Sequence, residues 1–232
     1  MPAADFARAR RSMVTDHLRP GGVRNPRLLA ALEAIPRERF VPSAQARLAT
    51  VDRHVPLGGG RFLMDPLALA RLMEEALRPP FSPTSSRVLD LGPGTGYSTA
   101  LWAALASDVT ALEEDPALAA ATQTNLVRLR ATHAQVVQGP LKDGWPSDGP
   151  YDVIFMNGGV EEVPSSFVPQ LTEGGCLLTV VLRPTATVLL GEARRYERRN
   201  GALSFRGLFD LSVPELPGFA LPARFSLEGG IG

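Results

Sequence analysis

The chain has 232 residues, 24 basic and 24 acidic side chains, and 44% apolar residues. This length suits one α/β domain with additions, and the apolar content is enough for a large core. The balanced charge favours neither nucleic acid nor an anionic membrane surface as a partner. The single cysteine, Cys176, excludes an intramolecular disulfide and a cysteine-based metal centre, so we expect no metal. Without a bilayer-length apolar stretch or a secretion signal, the sequence predicts a cytoplasmic protein that has no membrane partner.

The first 83 residues predict a helical extension. Proline and glycine interrupt apolar segments of helical spacing up to about residue 50, and a glycine-rich turn follows at Gly58-Gly59-Gly60. Asp65-Pro66 is a typical helix start, in which aspartate caps the first amides and proline occupies the first helical position. A proline-rich linker near residue 80 then predicts a boundary between an extension at 1–83 and an α/β domain at 84–232.

From Arg87 onwards, short apolar strands alternate with helices. The predicted strands cover residues 88–91, 109–112, 136–137, 151–155 and 176–181, and the predicted helices cover 98–105 and 115 to about 130. This alternation predicts a mostly parallel sheet with helices on both faces. Residues 187–199 and 202–209, joined by Asn200-Gly201, predict a C-terminal antiparallel hairpin.

The turn after the first of these strands carries the chemistry. It reads Asp90-Leu91-Gly92-Pro93-Gly94-Thr95-Gly96 and lies where open α/β folds bind ligands. Tyr97 holds the sixth position of the dinucleotide fingerprint, so the third glycine comes one residue early, and a phosphate loop would need a lysine. The remaining pattern is typical of S-adenosylmethionine enzymes. We therefore predict a Rossmann-like class I methyltransferase fold that binds S-adenosyl-L-methionine through Asp90, Gly92, Pro93, Gly94, Gly96 and Tyr97.

An acid at the end of the next strand is the second element of the predicted cofactor site. Glu113 follows Asp90 by roughly 20 residues, the offset at which an acid meets the ribose hydroxyls in Rossmann-like sites. Glu114 is an alternative, whereas Asp115 precedes Pro116 and is better explained as a helix cap. Asn157, after the fourth strand, should line the same pocket because it too lies at the carboxyl edge of the sheet.

With these residues the chain resembles the protein-L-isoaspartate O-methyltransferase family. The likeness covers most of the length from Met13 to about Val181 and includes the N-terminal part, which generic methyltransferases lack. The residues that carry it are Met13-Val14, Leu18-Arg19, 23–27, 35–42, Asp52-Arg53, 56–58, Gly60, Pro66, 88–92, Gly94, Gly96, Tyr97, Glu113, Trp145-Pro146, Tyr151-Asp152, Leu171 and Gly174-Gly175. The resemblance implies a carboxyl O-methyltransferase that acts on isoaspartyl residues of damaged proteins or peptides.

The resemblance also extends the cofactor pocket to Gly139, Pro140 and Leu141. Pro140 stands where the family usually has an acid that contacts the adenine amino group. A second departure is the segment 61–66, Arg-Phe-Leu-Met-Asp-Pro, where the family has a Gln-Thr-Ile-Ser-like sequence whose hydroxyl residues contact the substrate. Both hydroxyl positions are apolar in this chain.

The acceptor site is expected in the overlapping segment from Gly58 to Asp65, at Arg61, Met64 and Asp65. The guanidinium fork of Arg61 suits a substrate carboxylate, while Asp65 has the competing role of a helix cap. An acceptor carboxylate is ionised at neutral pH and needs no general base, so the missing base does not argue against activity. Three hypotheses stay open: the isoaspartyl enzyme, the same fold with a different acceptor such as a small carboxylate, and a non-catalytic cofactor-binding module. The sequence leaves the oligomeric state open.

Overall fold

The computed structural model describes residues 3–183 and 190–220. Its N-terminal extension is helical, as predicted: α1 covers Ala3–Ser12, a π-helix covers Met13–Leu18, α2 covers Pro26–Ala34, and two 3₁₀ helices cover Arg37–Phe40 and Ser43–Leu48. Asn25 caps α2 by accepting hydrogen bonds from the amides of Arg27 and Leu28. None of the helices in the described ranges combines the length and the apolar character that crossing a membrane requires.

Within the extension, a small antiparallel hairpin follows these helices, where the sequence predicted only a glycine-rich turn. Its strands are β1, Val55–Gly58, and β2, Arg61–Leu63. Gly59 and Gly60 connect them with φ values of 57° and 74°, which residues with a side chain rarely adopt. The helix α3, Pro66–Ala76, begins directly afterwards, and Asp65 caps it through the amide of Ala68 at 2.8 Å.

The main sheet has seven strands in the order β5-β4-β3-β6-β7-β8-β9. The strands are β3 (Arg87–Leu91), β4 (Asp108–Glu113), β5 (Ala134–Gln138), β6 (Tyr151–Val160), β7 (Leu171–Leu182), β8 (Leu190–Arg199) and β9 (Ala202–Ser212). Pairing is parallel from β5 to β7 and antiparallel from β7 to β9. The predicted parallel sheet and C-terminal hairpin are confirmed, while residues 187–189 of the predicted hairpin lie outside the described residues.

Helical elements cover both faces of this sheet, but in an uneven way. On one face, the extension, α3, α4 (Tyr97–Ala103) and α5 (Pro116–Leu129) share a large apolar cluster with side chains such as Val88 and Val109. On the other face, 3₁₀ helices at Leu141–Asp143 and Ser165–Gln170 and the segment around Leu216 pack on a second cluster. A further 3₁₀ helix covers Pro146–Asp148. The extension therefore belongs to the main core, and its separation at residue 83 stays a prediction.

Candidate cofactor site

The glycine turn leaves the carboxyl end of β3 and enters α4. Gly92, Gly94 and Gly96 all have positive φ, at 69°, 64° and 90°, so the turn needs glycine at each of these positions. From outside, Thr122 of α5 donates its hydroxyl to the Gly94 carbonyl at 2.8 Å, and the Asn125 side chain donates to the Thr95 carbonyl at 3.0 Å. Helix α5 therefore holds the turn in place.

Asp90 links the end of β3, where the turn begins, to α4 and β6 through hydrogen bonds. One of its oxygens accepts hydrogen bonds from the hydroxyls of Ser98 and Thr99, at 2.8 and 2.6 Å, and the other accepts from the Asn157 amide at 2.7 Å. Burial raises the pKa of Asp90 to about 6, against the opposing effect of these three hydrogen bonds. Asp90 therefore joins β3, α4 and β6 and has a structural role under the turn.

Glu113 lies at the carboxyl end of β4 and is completely buried. Its Oε2 accepts a hydrogen bond from the amide of Gly94 at 2.9 Å. Its Oε1 accepts from the amides of Glu114 and Asp115, at 3.0 and 3.2 Å. Three backbone donors therefore hold a carboxylate next to the glycine turn.

The guanidinium of Arg61 occupies the crevice between this carboxylate and the glycine turn. Its Nη1 donates to Glu113 Oε1 at 2.7 Å, and its Nη2 donates to the Gly92 carbonyl. Both partners are removed from solvent, with side-chain exposures of 6% for Arg61 and 0% for Glu113. The sequence predicted that Arg61 would bind a substrate carboxylate, and the structure pairs it with a carboxylate of the chain itself.

Two leucines complete the covering of the turn. A methyl group built on Gly94 would lie 2.7 Å from Leu57 Cδ1, and one built on Gly92 would lie 2.7 Å from Leu216 Cδ1. Leu57 belongs to β1, and Leu216 is fixed by its amide, which donates to the Gly159 carbonyl at 2.7 Å. The space above the turn is thus filled by Arg61 and these two side chains.

Comparisons with known proteins assign the chain to a family. The family model described as protein-L-isoaspartate(D-aspartate) O-methyltransferase matches residues 9–205. The chain belongs to this family. The protein-L-isoaspartate O-methyltransferase of Methanoculleus marisnigri is 37% identical over 182 residues, which cover 78% of this chain and 80% of that protein. Protein-L-isoaspartate O-methyltransferase 2 of Marinobacter nauticus is 40% identical over 179 residues, or 76% of this chain and 79% of that protein.

Solved structures agree with the fold of this methyltransferase family. A protein-L-isoaspartate O-methyltransferase superposes with a TM-score of 0.75 at 24% identity, covering 90% of this chain and 66% of that one. A Plasmodium falciparum chain in complex with S-adenosyl-L-homocysteine also superposes with a TM-score of 0.75, at 19% identity, covering 89% and 97% of the two chains. The predicted family and the predicted class I methyltransferase fold are therefore confirmed.

The remaining cofactor residues named from the sequence lie around the family's glycine turn to different degrees. Pro93 is buried within it, and Asn157 reaches it through Asp90. Leu141 is 1% exposed, and its Cδ1 lies 3.4 Å from a methyl group built on Gly92. The Gly139 amide donates to the Glu113 carbonyl at 3.3 Å, and the exposed Pro140 follows it.

The Tyr97 side chain is turned away from the crevice, and Glu114 is an exposed residue. The Tyr97 ring is buried, meets Phe40 edge-on with 5.2 Å between centroids, and lies 4.7 Å from the Arg37 guanidinium carbon. Glu114 is exposed and contributes its amide to Glu113. The structure therefore places the Tyr97 side chain in the core and not in the predicted cofactor site, and the role of Glu114 stays a prediction.

The acceptor segment is anchored at its carboxyl end. Met64 is 5% exposed, and its carbonyl accepts a hydrogen bond from the buried Arg37. His54 Nδ1 accepts from the Asp65 amide at 3.0 Å, and its Nε2 lies 2.8 Å from the Ser212 carbonyl. Because only a protonated nitrogen can donate to a carbonyl, Nε2 carries the proton, and His54 joins the segment to the end of β9. Burial raises the pKa of Asp65.

Sequence reasoning missed Leu57 and Leu216 as neighbours of the glycine turn. Leu57 precedes the glycine-rich loop, a pattern that indicates only a turn. Leu216 follows the C-terminal hairpin in a Val-Pro-Glu-Leu run that has no periodic signal. Its place beside Gly92 depends on pairing between Leu216 and Gly159, far apart along the chain.

Proposed function

We propose that this chain transfers the methyl group of S-adenosyl-L-methionine to the carboxylate of isoaspartyl residues in damaged proteins or peptides. One observation carries the proposal. In a member of this family, a buried carboxylate and a glycine turn meet at the carboxyl ends of adjacent parallel strands, where Glu113 accepts the amide of Gly94 at 2.9 Å. Class I α/β folds bind ligands at this edge of the sheet.

The residues around the turn fit an adenosyl cofactor once Arg61 has left Glu113. A buried carboxylate with two oxygens facing a crevice can accept hydrogen bonds from two vicinal hydroxyl groups. Gly92 and Gly94 present backbone without a Cβ, so a ligand can approach closely. Glu113 would hold the ribose, and the backbone of 92–96 would lie along the amino-acid portion. The cofactor supplies an electrophilic methyl group on a sulfonium.

The reaction makes a small demand on side-chain chemistry. A carboxylate oxygen forms a bond to the methyl carbon while the carbon–sulfur bond breaks, and the electron pair stays on sulfur, so the products are a methyl ester and a thioether. Because an acceptor carboxylate is already ionised, no group has to remove a proton. The chain's task is to align the acceptor and to exclude water. We assign alignment to the segment 61–65, which follows β1 next to the crevice.

The proposal is tested by methyl transfer from radiolabelled cofactor to an isoaspartyl peptide and to its aspartyl twin. We expect label in the isoaspartyl peptide alone. Two substitutions sharpen the test, because Glu113 and Glu114 are neighbours with opposite environments, one buried and one exposed. Glu113→Gln should lower affinity for S-adenosylhomocysteine, whereas Glu114→Gln should leave it unchanged. Label in both peptides or in neither would contradict the isoaspartyl assignment.

A second candidate is the same transfer to a more apolar carboxylate. Phe62 and Met64 occupy the two positions at which the family resemblance predicts hydroxyl residues, and Phe62 is 36% exposed beside the crevice. An exposed aromatic ring there favours an acceptor with apolar surface. Cofactor binding without label in either peptide, together with label in a small aromatic carboxylate, would favour this candidate.

A further inference from the structure

We propose that Arg61 is a built-in competitor of the cofactor, which closes the crevice until the hairpin β1–β2 moves. This inference rests on the proposed function, because it concerns the same cofactor site. Its first support is the set of bonds at Glu113. Three of the carboxylate's partners are backbone amides, whose positions are set by the fold, and the fourth is the guanidinium of Arg61 at 2.7 Å.

A ribose would need the position that Arg61 holds. Oε1 of Glu113 accepts from two backbone amides and from Arg61, while Oε2 accepts from the amide of Gly94. The backbone donors cannot leave without unfolding the ends of β4 and the glycine turn. The side chain of Arg61 can leave by rotation or by movement of its strand. A pair of vicinal hydroxyl groups needs both oxygens of Glu113, and it can reach Oε1 only when Arg61 departs.

The second hydrogen bond of Arg61 places its guanidinium over the glycine turn as well as beside Glu113. Its Nη2 donates to the Gly92 carbonyl and lies 2.7 Å from the position of a methyl group on Gly92. The guanidinium thus spans from the ribose acid to the first glycine, which is the stretch that the ligand would cover. Both bonds are shielded from water, so the ion pair is not weakened by solvent screening.

Both strands of the hairpin take part in the closure, because Leu57 lies on β1 and Arg61 lies on β2. Leu57 Cδ1 lies over Gly94 while Arg61 lies over Gly92. The hairpin turn itself, Gly58-Gly59-Gly60, is exposed, and methyl groups built on Gly58 and Gly60 would meet nothing within 4 Å. At the tip, a methyl group built on Gly59 would lie 3.5 Å from Asp115 Oδ2, and movement of this exposed tip would withdraw Leu57 and Arg61 together.

With closure of this kind, the apparent association constant for the cofactor equals the intrinsic constant multiplied by the fraction of molecules that are open. Removing the charge of residue 61 should raise that fraction. Arg61→Gln keeps a hydrogen-bond donor but ends the ion pair. The matched control is Arg10→Gln, because Arg10 and Glu38 form an equally short ion pair of 2.7 Å, with side-chain exposures of 10% and 12%, in the extension.

The test is calorimetric titration of the full chain with S-adenosylhomocysteine. We expect Arg61→Gln to bind about tenfold more tightly than the wild type, and Arg10→Gln to bind like the wild type. Equal or weaker binding by folded Arg61→Gln, with measurable binding by the wild type, would overturn the competitor and leave the proposed function standing. If the wild type, Arg61→Gln and Arg10→Gln all failed to bind, the cofactor assignment and with it the proposed function would fall.

A second measurement needs no variant. When opening precedes binding, the observed binding rate of the wild type reaches a limit at high ligand concentration. Trp145 is a suitable fluorescent reporter, because its ring lies 3.3 Å from the position of a methyl group on Gly139. We expect the stopped-flow rate to level off with S-adenosylhomocysteine. A rate that rises linearly to the highest concentration, at an affinity that calorimetry reproduces, would contradict a closed crevice.

Discussion

The side-chain amide of Asn157 donates to Asp90 Oδ1 at 2.7 Å and so joins β6 to β3 beneath the glycine turn. The other oxygen of Asp90 receives two hydroxyl donors from the start of α4. A completely buried carboxylate thereby fixes the point where two central strands and one helix meet. Its ionisation is a measurable property of the turn.

Asp90 should make stability fall as the pH rises. Because burial raises its pKa in the folded chain from 3.8 to about 6, the folded state binds the proton more tightly than the unfolded state. The stabilisation is complete below pH 3.8 and is lost as the pH passes through about 6. Asp90→Asn removes this dependence, and the hydroxyls of Ser98 and Thr99 can turn to accept from the new amide.

Urea unfolding at pH 4.5 and 7.5 measures the effect. Between pH 4.5 and 7.5, the wild type should lose on the order of 2 kcal/mol of unfolding free energy relative to Asp90→Asn. A difference for Asp90→Asn that is the same at both pH values would contradict the raised pKa.

Gly94→Ala should prevent cofactor binding. The substitution places a methyl group 2.7 Å from Leu57 Cδ1, in the crevice itself, and its positive φ of 64° costs about 1 kcal/mol for a residue with a side chain. Gly174→Ala is a matched control, because Gly174 has a φ of 82° and nothing lies within 4 Å of its built methyl group. Thermal unfolding and calorimetry should show similar destabilisation in both variants but lost S-adenosylhomocysteine affinity in Gly94→Ala alone. Retained affinity in Gly94→Ala would count against the glycine-turn site.

Thr122→Val should destabilise the fold by about 1 to 3 kcal/mol. The substitution preserves shape but removes the hydroxyl that donates to the Gly94 carbonyl at 2.8 Å, and it leaves that buried carbonyl without this donor. Thr124→Val is the control, since its exposed hydroxyl donates only to the carbonyl of Ala120 in its own helix. Chemical denaturation compares the two. An equal loss of unfolding free energy in both variants would show that the hydrogen bond to the Gly94 carbonyl contributes no more to stability than the bond within α5.

Asp65 allows its two proposed roles to be separated. As the cap of α3 it can be replaced by asparagine with little loss, whereas Asp65→Ala should cost about 1 kcal/mol of stability. We expect Asp65→Asn to retain methyl transfer, because the Asp65 carboxylate is engaged with the first turn of α3 through the amide of Ala68. A large fall in the transfer rate for a stable Asp65→Asn would instead place this carboxylate in the acceptor site.

Local pattern accounts for the elements that were predicted well. Asp65-Pro66 and Asp115-Pro116 begin helices because a carboxylate cap and a fixed φ act within four residues. The strand before Gly92 and the strand before Glu113 were visible as short apolar runs between turn signals. Their parallel pairing follows from the helix that connects them. For these reasons Glu113 and Gly94 could be expected at one edge of the sheet.

The sequence by itself therefore determined the fold class and the family and predicted the place of the cofactor crevice, since each depends on spacing over short stretches. Only the tertiary structure decided what lies in that crevice. Arg61 meets Glu113 across 52 positions of chain, and Leu216 reaches Gly92 through its bond to Gly159. Such contacts depend on how separate elements pack, and neither periodicity nor a motif records the direction in which a long side chain will fold.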